Sequence, residues 1–288
     1  MSPRTSRQSA FRSPVPPAVK RKYEHLKREL TGMGKVLVAF SGGVDSTLLL
    51  KTARDVLGRN VLAVIATSPT YPGREIRAAR ALARRLGVRT RVIHTEELLN
   101  PEFAANSPER CYHCKRELFS ALREIAKGEG IGFVLDGANA DDLSDFRPGS
   151  RAGRELGVRS PLQEAGLGKG EIRRLARALS LPTWDKPSLA CLASRFPYHT
   201  RIEPEGLRRV GAAEEFLRRL GLRQLRVRDH GPVARIEVEA ADLPKLTAPR
   251  VRGRLTRYFK KLGYTYVTLD LDGYRTGSLN EPLRRRAR

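Results

Sequence analysis

Three short clusters in this 288-residue chain hold residue types that do chemistry. The first is Ser41-Gly42-Gly43-Val44-Asp45-Ser46, set between the apolar run Val36 to Phe40 and the apolar Leu48-Leu49-Leu50. Paired glycines let a backbone come close to a ligand, and a helix starting there turns free N–H groups toward it. Ser41 and Ser46 add hydroxyl donors, so the ligand this pattern suits is a phosphate chain. The stretch lacks the Gly-Lys-Ser/Thr ending of a P-loop and the Gly-x-Gly-x-x-Gly of a dinucleotide fold. An ordinary strand–turn–helix corner would leave Asp45 and both serines without a packing role.

The second cluster is Asp136-Gly137-Ala138-Asn139-Ala140-Asp141-Asp142-Leu143-Ser144-Asp145. Small residues give backbone room there, and four acids can hold Mg²⁺ or orient a nucleotide. The plainer alternative is a loop whose acids cap the next helix. The third is a set of cysteines: Cys111 and Cys114 in Cys-Tyr-His-Cys, and Cys191 in Lys186-Pro-Ser-Leu-Ala-Cys-Leu-Ala-Ser-Arg195-Phe196. Thiolates one helical turn apart can share a metal or a cluster edge, and a neighbouring guanidinium such as Arg195 lowers the cost of a thiolate. Three cysteines can bind three irons of a [4Fe–4S] cluster and leave the fourth open. Structural Zn²⁺ on Cys₃ plus His113 fits less readily, and three buried thiols with no ligand is the plainest reading. An odd cysteine count argues against a disulfide framework and for a reducing, cytoplasmic setting.

The elements that must position these clusters read as alternating strands and helices. Apolar strands are expected at Val36–Phe40, Val61–Thr67, Arg89–Thr95 and Phe133–Asp136, with helices at Lys20–Leu30, Thr47–Leu57, Gly73–Leu86 and Cys111–Lys127; Asn100–Arg110 reads as irregular. That order implies a doubly wound parallel sheet whose ligands lie at the carboxyl ends of strands. Ser41–Ser46, Thr67-Ser68 and Asp136–Asn139 then share one rim. From about Arg201 the pattern becomes a helix, two strands around His230-Gly231-Pro232, a mainly helical stretch and a final strand. We therefore expect a tail over 1–19, an α/β domain over 20–195, a smaller α+β domain over 196–280 and a basic tail over 281–288.

Composition sets the bounds. Hydrophobic residues are 40% of the chain, enough for a core, and no stretch nears the ~20 apolar residues of a membrane helix. The formal net charge is +24 with aromatics at 6%, so a polyanion such as RNA is one reading of the charge. The basic residues are spread along helix faces without interleaved aromatics, which favours a general arginine bias and nucleotide-sized anions.

Ser41–Ser46 resembles the PP-loop of the ATP pyrophosphatases, whose fold is of the adenine nucleotide alpha hydrolase-like type. With Cys111-Tyr-His-Cys-Lys115, Asp136-Gly-Ala-Asn139, Cys191-Leu-Ala-Ser-Arg195, Arg226-Val-Arg228 and Ala234-Arg-Ile-Glu237, the chain is similar to the LarE family from about Lys20 to Leu279. That family comprises PP-loop sulfur transferases of nickel-pincer nucleotide cofactor biosynthesis. The resemblance implies that ATP adenylates a carboxylate of pyridinium-3,5-biscarboxylic acid mononucleotide, after which sulfur displaces AMP. It implies that Ser41, Gly42, Gly43, Asp45 and Ser46 bind the pyrophosphate and Mg²⁺, and that Ser68 and Gly137 meet the adenosine. Asp45, Cys191 and Arg195 would be catalytic. Ser194, Arg195, Arg226, Arg228 and Glu237 would hold the substrate, and Cys111, Cys114 and Cys191 would ligate a [4Fe–4S] cluster, as in the three-cysteine branch. In another branch a single cysteine, at the place of Cys191, gives up its own sulfur. The resemblance further implies a homo-oligomer; the sulfide source is open. The alternatives are a tRNA-thiolating PP-loop enzyme, which would show an added RNA-binding module, and an amide-forming PP-loop ligase, which would not need three cysteines.

Overall fold

The structure is a computed structural model that describes residue 11 and residues 13–144, 148–188, 190–275 and 277–281. Asp145, most of the expected N-terminal tail and nearly all of the basic C-terminal tail lie outside the described residues. The chain divides into two compact units: residues 1–67, 73–95 and 114–188 form the first, and residues 68–72, 96–113 and 189–288 the second.

The first unit is a four-stranded parallel sheet of β1 (Val36–Ala39), β2 (Val61–Thr67), β3 (Arg89–His94) and β4 (Phe133–Leu135) in the order β3-β2-β1-β4. Its helices are α1 (Pro17–Met33), α2 (Val44–Leu57) and α3 (Gly73–Arg85), then the later part of a helix over Arg110–Gly128, and three shorter ones over Pro148–Glu155, Pro161–Glu164 and Lys169–Ala178. Alternation along the strands decides which face each side chain serves. Val36, Val38, Ala63 and Ile65 join Leu26 and Leu30 of α1, Leu48 and Leu49 of α2, and Ile172 and Leu175 in one core. Leu37, Leu62, Val64 and Val134 turn the other way, onto Phe119 and Leu122. Both faces are covered, which is why β1 and β2 read as unbroken apolar runs. Each fully buried leucine in these layers contributes about 2 kcal/mol.

The chain runs from β1 outward to β3, then returns across the opposite face to place β4 on the free side of β1. The carboxyl ends of β1 and β4 are therefore the switch point of the sheet, where open α/β folds receive ligands.

The second unit holds an antiparallel hairpin of β5 (Leu225–His230) and β6 (Val233–Val238), with β7 (Tyr266–Leu269) parallel to β6. Helices over Pro204–Arg219 and Pro249–Lys261 cover it, burying Leu217, Val227, Ile236 and Phe259 together. This is the expected small α+β sheet. The segment read as irregular instead holds a helical turn at Pro101–Ala104, preceded by a 3₁₀ turn at Glu97–Leu99. Asn100 accepts from Glu102 N at 2.9 Å and Pro101 fills the first helical position, a start signal too brief to carry apolar periodicity.

Candidate functional site: a phosphate loop and an arginine-held cysteine

The loop between β1 and α2 is built to leave helix donors open. Gly43 is the N-cap of α2, extended in backbone and without a side-chain cap, so the first N–H groups of a 14-residue helix have no side-chain partner. Gly42 has φ +68°, and a Cβ there would stand 2.9 Å from the Ala79 Cβ of α3, so only glycine lets the loop lie this close to α3. Ser41 and Ser46 meet through their hydroxyls at 3.0 Å, with Gly43 N donating to Ser41 Oγ at 3.3 Å. The Thr47 hydroxyl is fully buried with no partner among the described residues. Gly137, after β4, lies against this helix start: its Cβ would come 3.1 Å from Ser46 N. Ser41, Gly42, Gly43, Asp45, Ser46 and Gly137 are thus gathered at the switch point.

Two lysines complete that rim. Lys169 Nζ pairs with Asp45, whose other oxygen accepts from Asn139 Nδ2 at 3.4 Å. Lys186 Nζ donates to the Gly42 carbonyl at 2.9 Å and pairs with Glu75 at 2.8 Å. Neither has a motif spacing that singles it out, although Lys186 heads the Cys191 stretch. The acids of the second cluster serve their own loop. Asp136 accepts from Ala138 N at 3.1 Å and Ser160 Oγ at 2.7 Å, Asp142 from Asn139 N at 3.0 Å, and Asp141 from Lys169 N at 2.8 Å. The capping alternative describes these three.

Ser68 falls in the second unit. Its buried hydroxyl donates to Glu97, at the start of the 3₁₀ turn, rather than standing open. Cys191, half-buried, caps a 3₁₀ turn over Leu192–Arg195 in the same unit. Arg195 is wholly buried and its donors are committed. Nε and Nη2 grip Glu214 at 2.7 and 3.0 Å, and Nη1 reaches the carbonyls of Ala190 and Cys191, both at 3.0 Å, and Ser194 Oγ at 2.8 Å. These bonds anchor the cysteine loop.

The hairpin supplies the rest. Arg226 pairs in register with Glu237, and Arg228 with Arg235. Arg228 grips Glu237 with Nε and Nη2 at 2.8 and 2.7 Å and donates from Nη1 to Ser194 O at 2.7 Å. Arg226 lies over the Tyr274 ring at 5.1 Å, and burial, with Arg195 and then Arg228 nearby, pulls its pKa down to about 10. Burial alone would raise the Glu214 pKa, but Arg195 holds it below the usual carboxylate range. Ser194, Arg195, Arg226, Arg228 and Glu237 thus form one network around Cys191, with Glu214 the member that sequence reasoning missed. Glu214 stands four residues after Val210 and three before Leu217, so it falls on the apolar face of its helix, and that spacing is the signal that could have found it.

Cys111 is exposed in the first turn of the Arg110–Gly128 helix, with Cys114 half-buried one turn on. Arg110 beneath it donates to Asn106 Oδ1 at 2.8 Å, and Asn106 donates to Pro197 O at 2.7 Å, tying this helix start to the segment after Cys191. Among the described residues no group of three or more His, Cys, Asp or Glu side chains is gathered as a metal would require. Cys111 and Cys191 fall in the second unit and Cys114 in the first.

A doubly wound parallel sheet with a Gly-rich phosphate loop at its switch point defines an adenine-nucleotide-binding PP-loop protein. A family profile described as NAD synthase matches residues 19–123. The pyridinium-3,5-bisthiocarboxylic acid mononucleotide synthase of Lactiplantibacillus plantarum is 42% identical over 88% of this chain and 92% of its own. An uncharacterised protein of Synechocystis is 45% identical over 91% of this chain and 98% of its own. The NH₃-dependent NAD⁺ synthetase of Chlorobaculum tepidum is 29% identical, over 56% of this chain and 59% of its own. The chain belongs to the LarE family and is an ATP-using sulfurtransferase. No helix among the described residues is long and apolar enough to cross a membrane.

Proposed function

We propose that the protein adenylates a carboxylate of pyridinium-3,5-biscarboxylic acid mononucleotide and converts it to a thiocarboxylate. The carboxylate oxygen attacks the α-phosphorus of ATP, the bond to the β-phosphate breaks, and pyrophosphate leaves. A sulfur nucleophile then attacks the acyl carbon and AMP departs. The observation that supports this reading is the joining of Cys191, through Arg195 and Ser194, to the buried Arg228–Glu237 pair, with Arg226 opposite Glu237 in the same hairpin. Guanidinium groups match phosphate and carboxylate, the two anionic groups such a substrate carries.

In this reading the open N-terminus of α2, Ser41 and Ser46 hold the departing phosphates, with Asp45 positioned for Mg²⁺. Lys169 and Lys186, at the same rim, offset charge on the leaving group. Gly137 borders the adenosine. Arg226 presents positive charge to the substrate, and Arg228, held by Glu237, fixes Ser194. Cys191 carries the sulfur.

Two carriers are compatible with Cys191. In one the sulfur is its own: the Cys191 thiolate forms the thioester, and Cβ–S cleavage with loss of the Cα proton leaves dehydroalanine. In the other, supported by the cysteine count and the Cys-x-x-Cys spacing, Cys111, Cys114 and Cys191 hold a [4Fe–4S] cluster, which would supply hydrosulfide. Iron and acid-labile sulfide assays on anaerobically purified protein separate them: about four iron per chain supports the cluster, and iron-free protein that loses one sulfur per turnover supports the sacrificial route. Homo-oligomerisation and a cytoplasmic setting belong to the same proposal. The amide-forming alternative has no use for Cys191, so a Cys191→Ser variant with full activity would favour it.

A further inference from the structure

One peptide unit at Cys191 is fixed at both polar ends. Its carbonyl accepts from Arg195 Nη1 at 3.0 Å and Ser194 Oγ at 2.9 Å. Its N–H, that of Leu192, donates to the carbonyl of Thr70 at 2.8 Å. Thr70 lies in the short strap 68–72, far from Cys191 in sequence but in the same compact unit.

Glu97 holds that strap. Its side chain is 1% exposed. Oε1 accepts from both Ser68 Oγ and Thr70 Oγ1, at 2.5 and 2.7 Å, and these two hydroxyls stand 2.8 Å apart. Thr70 N donates to Ser68 Oγ at 3.1 Å, closing the turn. Oε2 is buried without a partner among the described residues. A buried carboxyl with an orphaned oxygen is an expensive way to pack a turn, and an apolar side chain would pack it at less cost. What the carboxyl supplies is a single acceptor that draws two hydroxyls together and so fixes where Thr70 O points.

We infer that Glu97 is a positioning residue for Cys191, acting through Thr70 on the Cys191–Leu192 peptide. The inference rests on the reading of Cys191 as the sulfur carrier. Removing Glu97 releases the strap, and the peptide unit that aims the thiol loses its anchor on one end. Sulfur transfer suffers, while adenylation, which uses the phosphate loop, does not.

The test uses the full-length chain with Glu97→Ala, Glu97→Gln and Thr70→Val, each checked for native circular dichroism. Three quantities are read: the rate of iodoacetamide alkylation at Cys191 by peptide mass spectrometry, substrate-dependent ATP–pyrophosphate exchange, and thiocarboxylate formation. Glu97→Ala is expected to change the alkylation rate several-fold and lower kcat for thiocarboxylate formation about tenfold, with exchange unchanged within about twofold. Glu97→Gln keeps an acceptor at Oε1 and restores both. Thr70→Val keeps the shape, loses one donor and follows Glu97→Ala, which preserves the test if Glu97→Ala does not fold. An unchanged Cys191 alkylation rate in the folded variants, or exchange falling in step with sulfur transfer, overturns the inference. Thiocarboxylate formation by Cys191→Ser overturns the sulfur-carrier reading instead, and leaves the alkylation result to judge Glu97 by itself.

Discussion

Arg195 donates from Nη1 to the Cys191 carbonyl at 3.0 Å while its Nε and Nη2 are locked on Glu214. The guanidinium has no exposed surface, so its charge is compensated within the fold and its reach ends at the cysteine loop. By placement, Arg195 is an anchor of the backbone at Cys191.

Arg195→Ala leaves Glu214 buried without its main partner, and loss of one member of a buried pair costs about 3–5 kcal/mol. Chemical denaturation is expected to show that loss. Arg195→Lys keeps the charge but not the fork, so it recovers only part of the stability. Equal stability in Arg195→Ala and wild type would refute the anchoring role.

Acid should act through the same pair. Glu214 has a folded-state pKa below its unfolded value, because Arg195 outweighs the burial that opposes ionisation. The unfolded state therefore binds the extra proton first as pH drops. The contribution of Glu214 is full above the ordinary carboxylate pKa near 4.5 and is lost as pH falls through the depressed value. Thermal melts between about pH 6 and 3 are expected to fall less steeply for Glu214→Gln than for wild type, from a lower starting stability. Parallel slopes would contradict the assignment.

Gly137→Ala is expected to remove ATP–pyrophosphate exchange while leaving the fold. The added methyl would stand 3.1 Å from Ser46 N, at the start of α2 where the proposed function puts the phosphates. Gly42→Ala, by contrast, meets Ala79 at 2.9 Å with φ at +68° and should cost stability as well, by about 2 kcal/mol. Normal exchange in a folded Gly137→Ala protein would move the phosphate site away from this loop.

Lys169 is paired with Asp45. Lys169→Ala should raise KM for ATP several-fold, since a cation at the phosphate rim is lost, with little change in melting temperature because a half-exposed pair contributes under about 1 kcal/mol. An unchanged KM would restrict Lys169 to a structural partner of Asp45.

The sheet and the phosphate loop were legible because each leaves a local trace. Val36 to Ala39 had to be buried on both faces, and Gly42-Gly43 before an apolar helix has few other uses. The hairpin itself followed from two alternating strands around His230-Gly231-Pro232, whereas the pairing of Arg226 with Glu237 is a register that the structure supplies. What stayed hidden depends on contacts distant in sequence. Ser68 was placed on the strand rim because it follows β2; its hydroxyl donates to Glu97, a partner 29 residues on that no motif marks. Lys169 sits on an amphipathic helix where many basic residues look alike, and only tertiary packing picks it out; Glu214 lies on its helix's apolar face, but its partner Arg195 is distant in sequence. Asp136, Asp141 and Asp142 read alike as a cluster; the structure gives each a different donor, Ser160 Oγ, Lys169 N and Asn139 N, two of them distant in sequence.

The division of labour between the phosphate loop and Cys191 is tested most directly by one comparison in the Cys191→Ala variant. With pyridinium-3,5-biscarboxylic acid mononucleotide present, exchange of labelled pyrophosphate into ATP is expected at the wild-type rate, with no thiocarboxylate formed. Thiocarboxylate formed without Cys191, or exchange lost together with transfer in a folded variant, would contradict the account.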